Sequence, residues 1–221
     1  MSPDSLSALV LSIRVACVAT LANALVGIPL AYLLARRRFP GRWLLEVLVT
    51  LPLILPPTVT GYYLILLLGR RGWLGGPFYA LTGWSVAFTW VAAAMASAVM
   101  ALPLLVRTAQ AAIASVDPDL ERAAFTLGRS EWRTALEVTF PLARNGILAG
   151  LVLAFARALG EFGATLMLAG NIPGKTATVP LAIYTAVQTG ESGEVLVLVV
   201  ALTALSGAVI LLAGRLGAKT A

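Results

Sequence analysis

The chain has 221 residues, the length of one ordinary domain, yet 59% are hydrophobic, 12% are charged and the mean hydropathy is +0.91, an apolar excess that excludes a soluble globular core. The net charge is +6, but the arginines stand between apolar runs and form no basic stripe, so they read as positive loops and not as a nucleic-acid surface. One cysteine and no histidine exclude an internal disulfide and a Cys/His metal site.

A bilayer core of roughly 30 Å takes about 20 apolar residues per helix. Runs of that length predict five spans at 6–35, 44–69, 85–106, 145–169 and 195–214. The first exceeds the usual h-region of about 7–15 residues and ends in arginines instead of a small-residue cleavage site, so it reads as a retained helix and not a signal peptide. It holds Cys17, and Arg14 near its outer end reads as a snorkelling side chain more readily than a substrate contact. Lysines and arginines in the loops set the orientation. Arg36, Arg37, Arg38, Arg42, Arg107, Arg122, Arg129, Arg133, Arg144, Arg215 and Lys219 fall on one side, against Arg70, Arg71 and Lys175 on the other. The expectation is a multi-pass inner-membrane protein with its N-terminus outside, its C-terminus in the cytoplasm, and the segment 107–144 as the longest cytoplasmic connection. No internal repeat is evident, so 1–221 reads as a single domain.

The second span carries Pro52, Pro56 and Pro57 in L-P-L-I-L-P-P-T-V-T-G. Each proline removes a backbone donor and clashes with the preceding turn, so the helix must break or kink. Carbonyls freed inside a bilayer need neighbouring helices or a wet cavity. Two readings stay open: a break that shapes packing, or one that lines a translocation path with Thr58 and Thr60 as its polar edge.

In the segment 107–144, Asp117 is placed to cap a helix with Pro118 at its first position, and Asp119 and Glu121 put negative charge in the first turn. Gly128 is the expected left-handed stop. Leu120, Ala123, Ala124 and Leu127 are expected on one face. Ser130 can cap a second helix from Glu131 to about Phe140, closed by Pro141. Two short capped helices outside the membrane suit docking into another protein better than lying on a bilayer, where more Trp, Phe and Lys would be needed.

The fourth span opens with Gly146 and Gly150, and Ala154 and Ala158 continue a small-residue stripe that lets helix backbones approach closely, within the chain or between two chains. Arg157 and Glu161 lie four residues apart on one face. Charges at this depth must pair or face water, so they are either an ion pair that fixes packing or a gate or pathway element. Farther on, G-N-I-P-G-K-T approaches a phosphate-binding P-loop, but it has three residues between its glycines where four are needed, and Pro173 lacks an amide. No ATP site is expected in this chain.

The stretch E-R-A-A-F-T-L-G, with Pro141 thirteen residues after Gly128, resembles the coupling motif of ABC-importer permeases. Arg122 stands where that motif usually has alanine. The stretches A-R-R-R-F-P-G-R, L-P-L-I-L-P-P-T-V-T-G-Y, G-R-R-G-W-L-G, F-A-R-A-L-G-E-F-G-A-T and G-N-I-P-G-K-T-A-T-V-P-L-A-I-Y are similar to the molybdate permease family, with sulfate and tungstate permeases of similar layout as alternatives. The resemblance implies an all-α integral membrane fold of about five transmembrane helices with a two-helix cytoplasmic coupling loop, like an ABC importer type I permease. It implies that Glu121, Ala123, Ala124, Gly128, Arg129 and Pro141 serve ATPase coupling. It also implies a homodimer, two copies of a separate ABC ATPase that uses ATP and Mg, and a periplasmic or extracellular oxyanion-binding protein. Some relatives carry an additional N-terminal helix that this chain is expected to lack. An integral-membrane enzyme built on Arg157 and Glu161 is the rival reading, but no second carboxylate, histidine or nucleophile–base pair supports it; a bare membrane scaffold leaves the capped loop unexplained.

Overall fold

The computed structural model describes residues 3–218, and it is helical, with no strand among the described residues. In chain order the helices are α1 (Pro3–Arg36), α2 (Arg42–Ile54), α3 (Pro57–Leu68), α4 (Gly75–Thr82), α5 (Trp90–Ala114), α6 (Pro118–Thr126) and α7 (Glu131–Thr134). A π-helical segment (Ala135–Thr139) leads into α8 (Phe140–Leu159), followed by α9 (Gly163–Ala169), α10 (Val179–Thr189) and α11 (Ser192–Ala218). Lys219, counted above for orientation, lies outside the described residues.

Among the described residues, four helices are long and apolar enough to cross a membrane: Asp4–Arg36, Trp90–Ala114, Glu131–Leu159 and Gly193–Leu211. The second expected span, 44–69, is not one rod. It is α2 and α3, bent by 119° at Leu55 and Pro56, because consecutive prolines withhold two amides from the helical ladder at that point. Two short helices, α4 and α10, lie in what had been expected to be loops. The third span also ends later than expected. Arg107 lies inside α5, where its guanidinium donates to Thr50 Oγ1 at 2.7 and 3.1 Å, so the charge is held by α2 and does not end the helix.

The centre is α5, flanked by α1 and α8. Alanines make this possible: Ala16, Ala19, Ala31, Ala101, Ala109, Ala143, Ala154 and Ala158 are all buried in one cluster with Leu34, Leu105 and Ile113. With lipid on the outside, close backbone packing replaces hydrophobic drive as the source of helix association. A Cβ at Gly146 would run into Ala112, and one at Gly150 would meet Leu105 Cδ1 at 3.1 Å and the Leu105 carbonyl at 3.2 Å. The small-residue stripe of α8 is thus occupied by α5 of the same chain. Asn23 of α1 adds a hydrogen bond across the core, its Nδ2 donating to the Ala98 carbonyl at 3.0 Å.

Pro141 does not close a helix, contrary to expectation. It sits in the first turn of α8, directly after the π-helical segment, where the Phe140 N–H reaches back to the Ala135 carbonyl. The wider π turn accommodates a residue that has no N–H and whose ring would crowd an α-helical turn. Glu131 to Leu159 consequently forms one continuous rod.

Candidate functional site: a docking segment and two helix breaks

The segment expected to dock comprises α6, α7 and the π-helical segment. Asp117 Oδ1 accepts the Asp119 N–H at 2.9 Å, Pro118 follows it at the first helical position, and Ser130 Oγ accepts the Arg133 N–H at 3.4 Å. Gly128 has φ +78°, the left-handed conformation that a residue without Cβ adopts freely. Its N–H donates to the Phe125 carbonyl at 3.0 Å, and Arg129 N–H to that of Ala124 at 3.1 Å. Arg129 Nε lies 3.3 Å from Glu137 Oε2, an exposed pair that bridges the turn to the π-helical segment.

The faces of α6 differ from the sequence expectation. Leu120, Ala123 and Leu127 point outward together with Phe125 of α6 and Trp132 of α7, whereas Ala124 turns inward. Glu121 also turns inward and is nine-tenths buried. Its Oε1 accepts the Thr139 hydroxyl at 2.6 Å and lies 3.0 Å from Arg36 Nη2 at the end of α1. Arg36 Nη2 donates in turn to the Val116 carbonyl at 2.9 Å. Sequence reasoning treated Arg36 only as a loop charge and did not single out Thr139. No sequence signal singled out this pairing, because Glu121 lies in the first turn of α6, where a negative charge suits the helix N-terminus by itself.

The second region lies deeper. Glu161 follows the end of α8, and its carboxylate does two things. Oε1 accepts the Ala164 N–H at 2.8 Å, capping the start of α9, and Oε2 lies 2.8 Å from Arg157 Nη1 as an ion pair without hydrogen-bond alignment. The Glu161 side chain is 1% exposed and that of Arg157 27%. This break in the α8–α9 line meets the break between α2 and α3. A Cβ on Gly163 would come within 2.9 Å of Pro57 Cβ, and one on Gly61 within 2.9 Å of Ala164 Cα. Two glycines therefore let α3 and α9 run side by side. Thr58 is exposed at the start of α3, while Thr60 is buried with no hydrogen-bond partner for Oγ1 among the described residues. Arg14 stacks on Trp90, its guanidinium 3.8 Å from the ring centroid, which holds that charge at the start of α5.

No cluster of three His, Cys, Asp or Glu able to hold a metal occurs among the described residues. In the P-loop look-alike, the amides of Lys175 and Thr176, with that of Ala177 just after it, all donate to the Ile172 carbonyl, so they are spent on their own turn. A hollow of about 220 Å³ at the start of α1 is lined by Asp4, Glu191 and Glu194, a charge that repels anions.

Residues 27–220 match the family described as "Binding-protein-dependent transport system inner membrane component". The chain is 50% identical over 188 residues to the molybdenum transport system permease protein ModB of Escherichia coli strain K12, covering 84% of this chain and 82% of the relative. It is 43% identical over 196 residues to the putative molybdenum transport system permease protein YvgM of Bacillus subtilis strain 168, covering 86% of each. The sulfate transport system permease protein CysT of Escherichia coli strain K12 is 37% identical over 187 residues, covering 85% of this chain and 67% of that protein. Among solved structures, an inward-facing MetNI methionine ABC transporter chain superposes with a TM-score of 0.76 at 17% identity, with both chains fully covered. A chain of a bacterial alginate ABC transporter gives 0.78 at 15% identity, covering 99% of this chain and 80% of that one. The fold is thus that of ABC importer permeases, and the chain belongs to the family of binding-protein-dependent transport system inner membrane components.

Proposed function

We propose that this chain is the membrane-spanning permease subunit of an ATP-driven importer of molybdate, working as a homodimer with two copies of an ABC ATPase and an oxyanion-binding protein outside the membrane. The observation that carries this reading is the exposed apolar face of α6 and α7. Leu120, Phe125 and Leu127 stand on a capped, polar-anchored segment outside the long apolar helices, and Trp132 is exposed in the first turn of the Glu131–Leu159 rod; a face of that kind marks a protein contact. Identity of 50% to a molybdenum permease, against 37% to a sulfate permease, favours molybdate over sulfate.

In this reading Glu121, Ala123, Ala124, Gly128, Arg129 and Pro141 build the coupling segment within 107–144 of a single permease domain. ATP and Mg bind the partner ATPase. The N-terminus lies outside and the C-terminus in the cytoplasm, following the excess of arginine at the docking end. Thr58, Tyr62 and Tyr63 are exposed on α3, and Arg157 is partly so. Polar groups at such depth avoid lipid, so this face borders the second copy or a wet path, with Thr58, Thr60, Arg157 and Glu161 beside it. The path holds the anion weakly, since a conduit must release its cargo.

Co-expression with the ATPase and purification through a tag on this chain tests the reading. Equimolar recovery of the ATPase is expected, and its absence overturns the proposal. A C-terminal fluorescent-protein fusion that fails to fluoresce contradicts the orientation.

A further inference from the structure

An acidic residue in a docking motif is expected to face the docking partner. Glu121 does the opposite. Its carboxylate lies under α6, with the side chain 12% exposed and its partner Arg36 14% exposed. The contacts around it join four parts of the chain: Arg36 is the last residue of α1, Thr139 the last of the π-helical segment, Glu121 belongs to α6, and Val116 links α5 to α6. Two neighbouring ties run in the same direction. Arg37 pairs with Glu131 of α7, and Tyr32 packs edge-on against Phe140 at the head of α8, with ring centroids 5.6 Å apart. The outward face of α6 is left to Leu120, Ala123 and Leu127.

We infer that Glu121 is a positioning residue acting inside the chain. Through Arg36 and Thr139 it fastens the docking segment to the end of α1 and to the head of α8. A buried charge pair gives this fastening a definite geometry, because a shift that separates the two leaves an uncompensated charge. Displacement of the docking segment is then carried to α1 as well as to α8, the helix it continues into, and α1 moves with the segment as a unit. The inference rests on the proposed reading of an ATPase-driven importer.

The test uses the complete importer of permease, ATPase and binding protein in proteoliposomes, with two readouts: ATPase recovered per permease, and molybdate transported per ATP hydrolysed. Glu121→Gln and Arg36→Gln are each expected to retain the ATPase while the transport ratio falls about tenfold, the range of ordinary coupling free energies. The double variant is expected to be no worse than the poorer single one, and Arg36→Lys to recover most of the ratio. Should either variant fail to accumulate, Thr139→Val removes only the hydroxyl contact and is expected to lower the ratio, with Thr139→Ser restoring it. Loss of the ATPase from Glu121→Gln but not from Arg36→Gln overturns the inference, since Glu121 would then touch the ATPase itself. An unchanged ratio in the variants overturns it as well. Failure of the unmodified chain to recover the ATPase instead strikes the functional reading on which the inference rests.

Discussion

The Arg157–Glu161 pair is asymmetric, and the asymmetry fixes the order in which its variants lose stability. Glu161 is 1% exposed and Arg157 27%. Arg157→Met leaves a carboxylate in a site closed to water, and removing one member of a buried pair costs about 3–5 kcal/mol. In Glu161→Gln, the stranded charge belongs to Arg157, which can turn its guanidinium toward water, and the new amide oxygen can still accept the Ala164 N–H that Glu161 accepts at 2.8 Å. The expected loss there is smaller, about 1.5–3 kcal/mol, that of one charge-assisted hydrogen bond. With both substitutions no charge remains, and the double variant should lose less than the sum of the singles by about 1–3 kcal/mol. Thermal unfolding of the detergent-purified protein measures all three. Equal or greater damage from Glu161→Gln, or strict additivity in the double variant, refutes the pairing described here.

Gly128→Val is expected to weaken ATPase recovery without lowering the thermal stability of the membrane helices. Nothing lies within 4 Å of a Cβ built there, so the penalty is the backbone one alone, about 1–2 kcal/mol; Gly128→Asn, which tolerates the left-handed conformation, should recover binding. Gly61→Val should lower thermal stability by about 1–3 kcal/mol through overpacking, because its Cβ meets Met167 Cβ at 2.7 Å and the Ala164 backbone at 2.9 Å; unchanged unfolding would show that α3 and α9 are not tightly packed. Radiolabelled molybdate should show no saturable submicromolar binding to the purified permease dimer without its binding protein, and such binding would overturn the weak-path reading.

Much of this architecture was legible because lipid makes the sequence simple. Long apolar runs reported α1, α5 and α11, and local chemistry reported Asp117, Pro118, Gly128 and Ser130 in the roles they take, since caps and left-handed stops depend on nearest neighbours. What escaped was set by tertiary contacts. Pro141 reads as a stop until the preceding turn is seen to be π-helical. Arg107 reads as the end of a span until Thr50 is seen to receive it. Glu121 reads only as negative charge in the first turn of α6 until Arg36, 85 positions earlier in the chain, is found beside it. Helices α4 and α10, of 8 and 11 residues, are too short for a hydropathy window tuned to spans. The α2–α3 break was visible in its prolines, but its meeting with Gly163 was not.

Uptake by the reconstituted importer tests the proposal most directly. Proteoliposomes carrying this chain and its ATPase, given ATP on the ATPase side and molybdate-loaded binding protein on the other, are expected to transport molybdate across the bilayer. Transport should stop when ATP, the ATPase or the binding protein is withheld, and excess sulfate should compete poorly. Molybdate movement that continues without ATP or without the ATPase, or uptake that follows sulfate in preference to molybdate, would contradict the function proposed here.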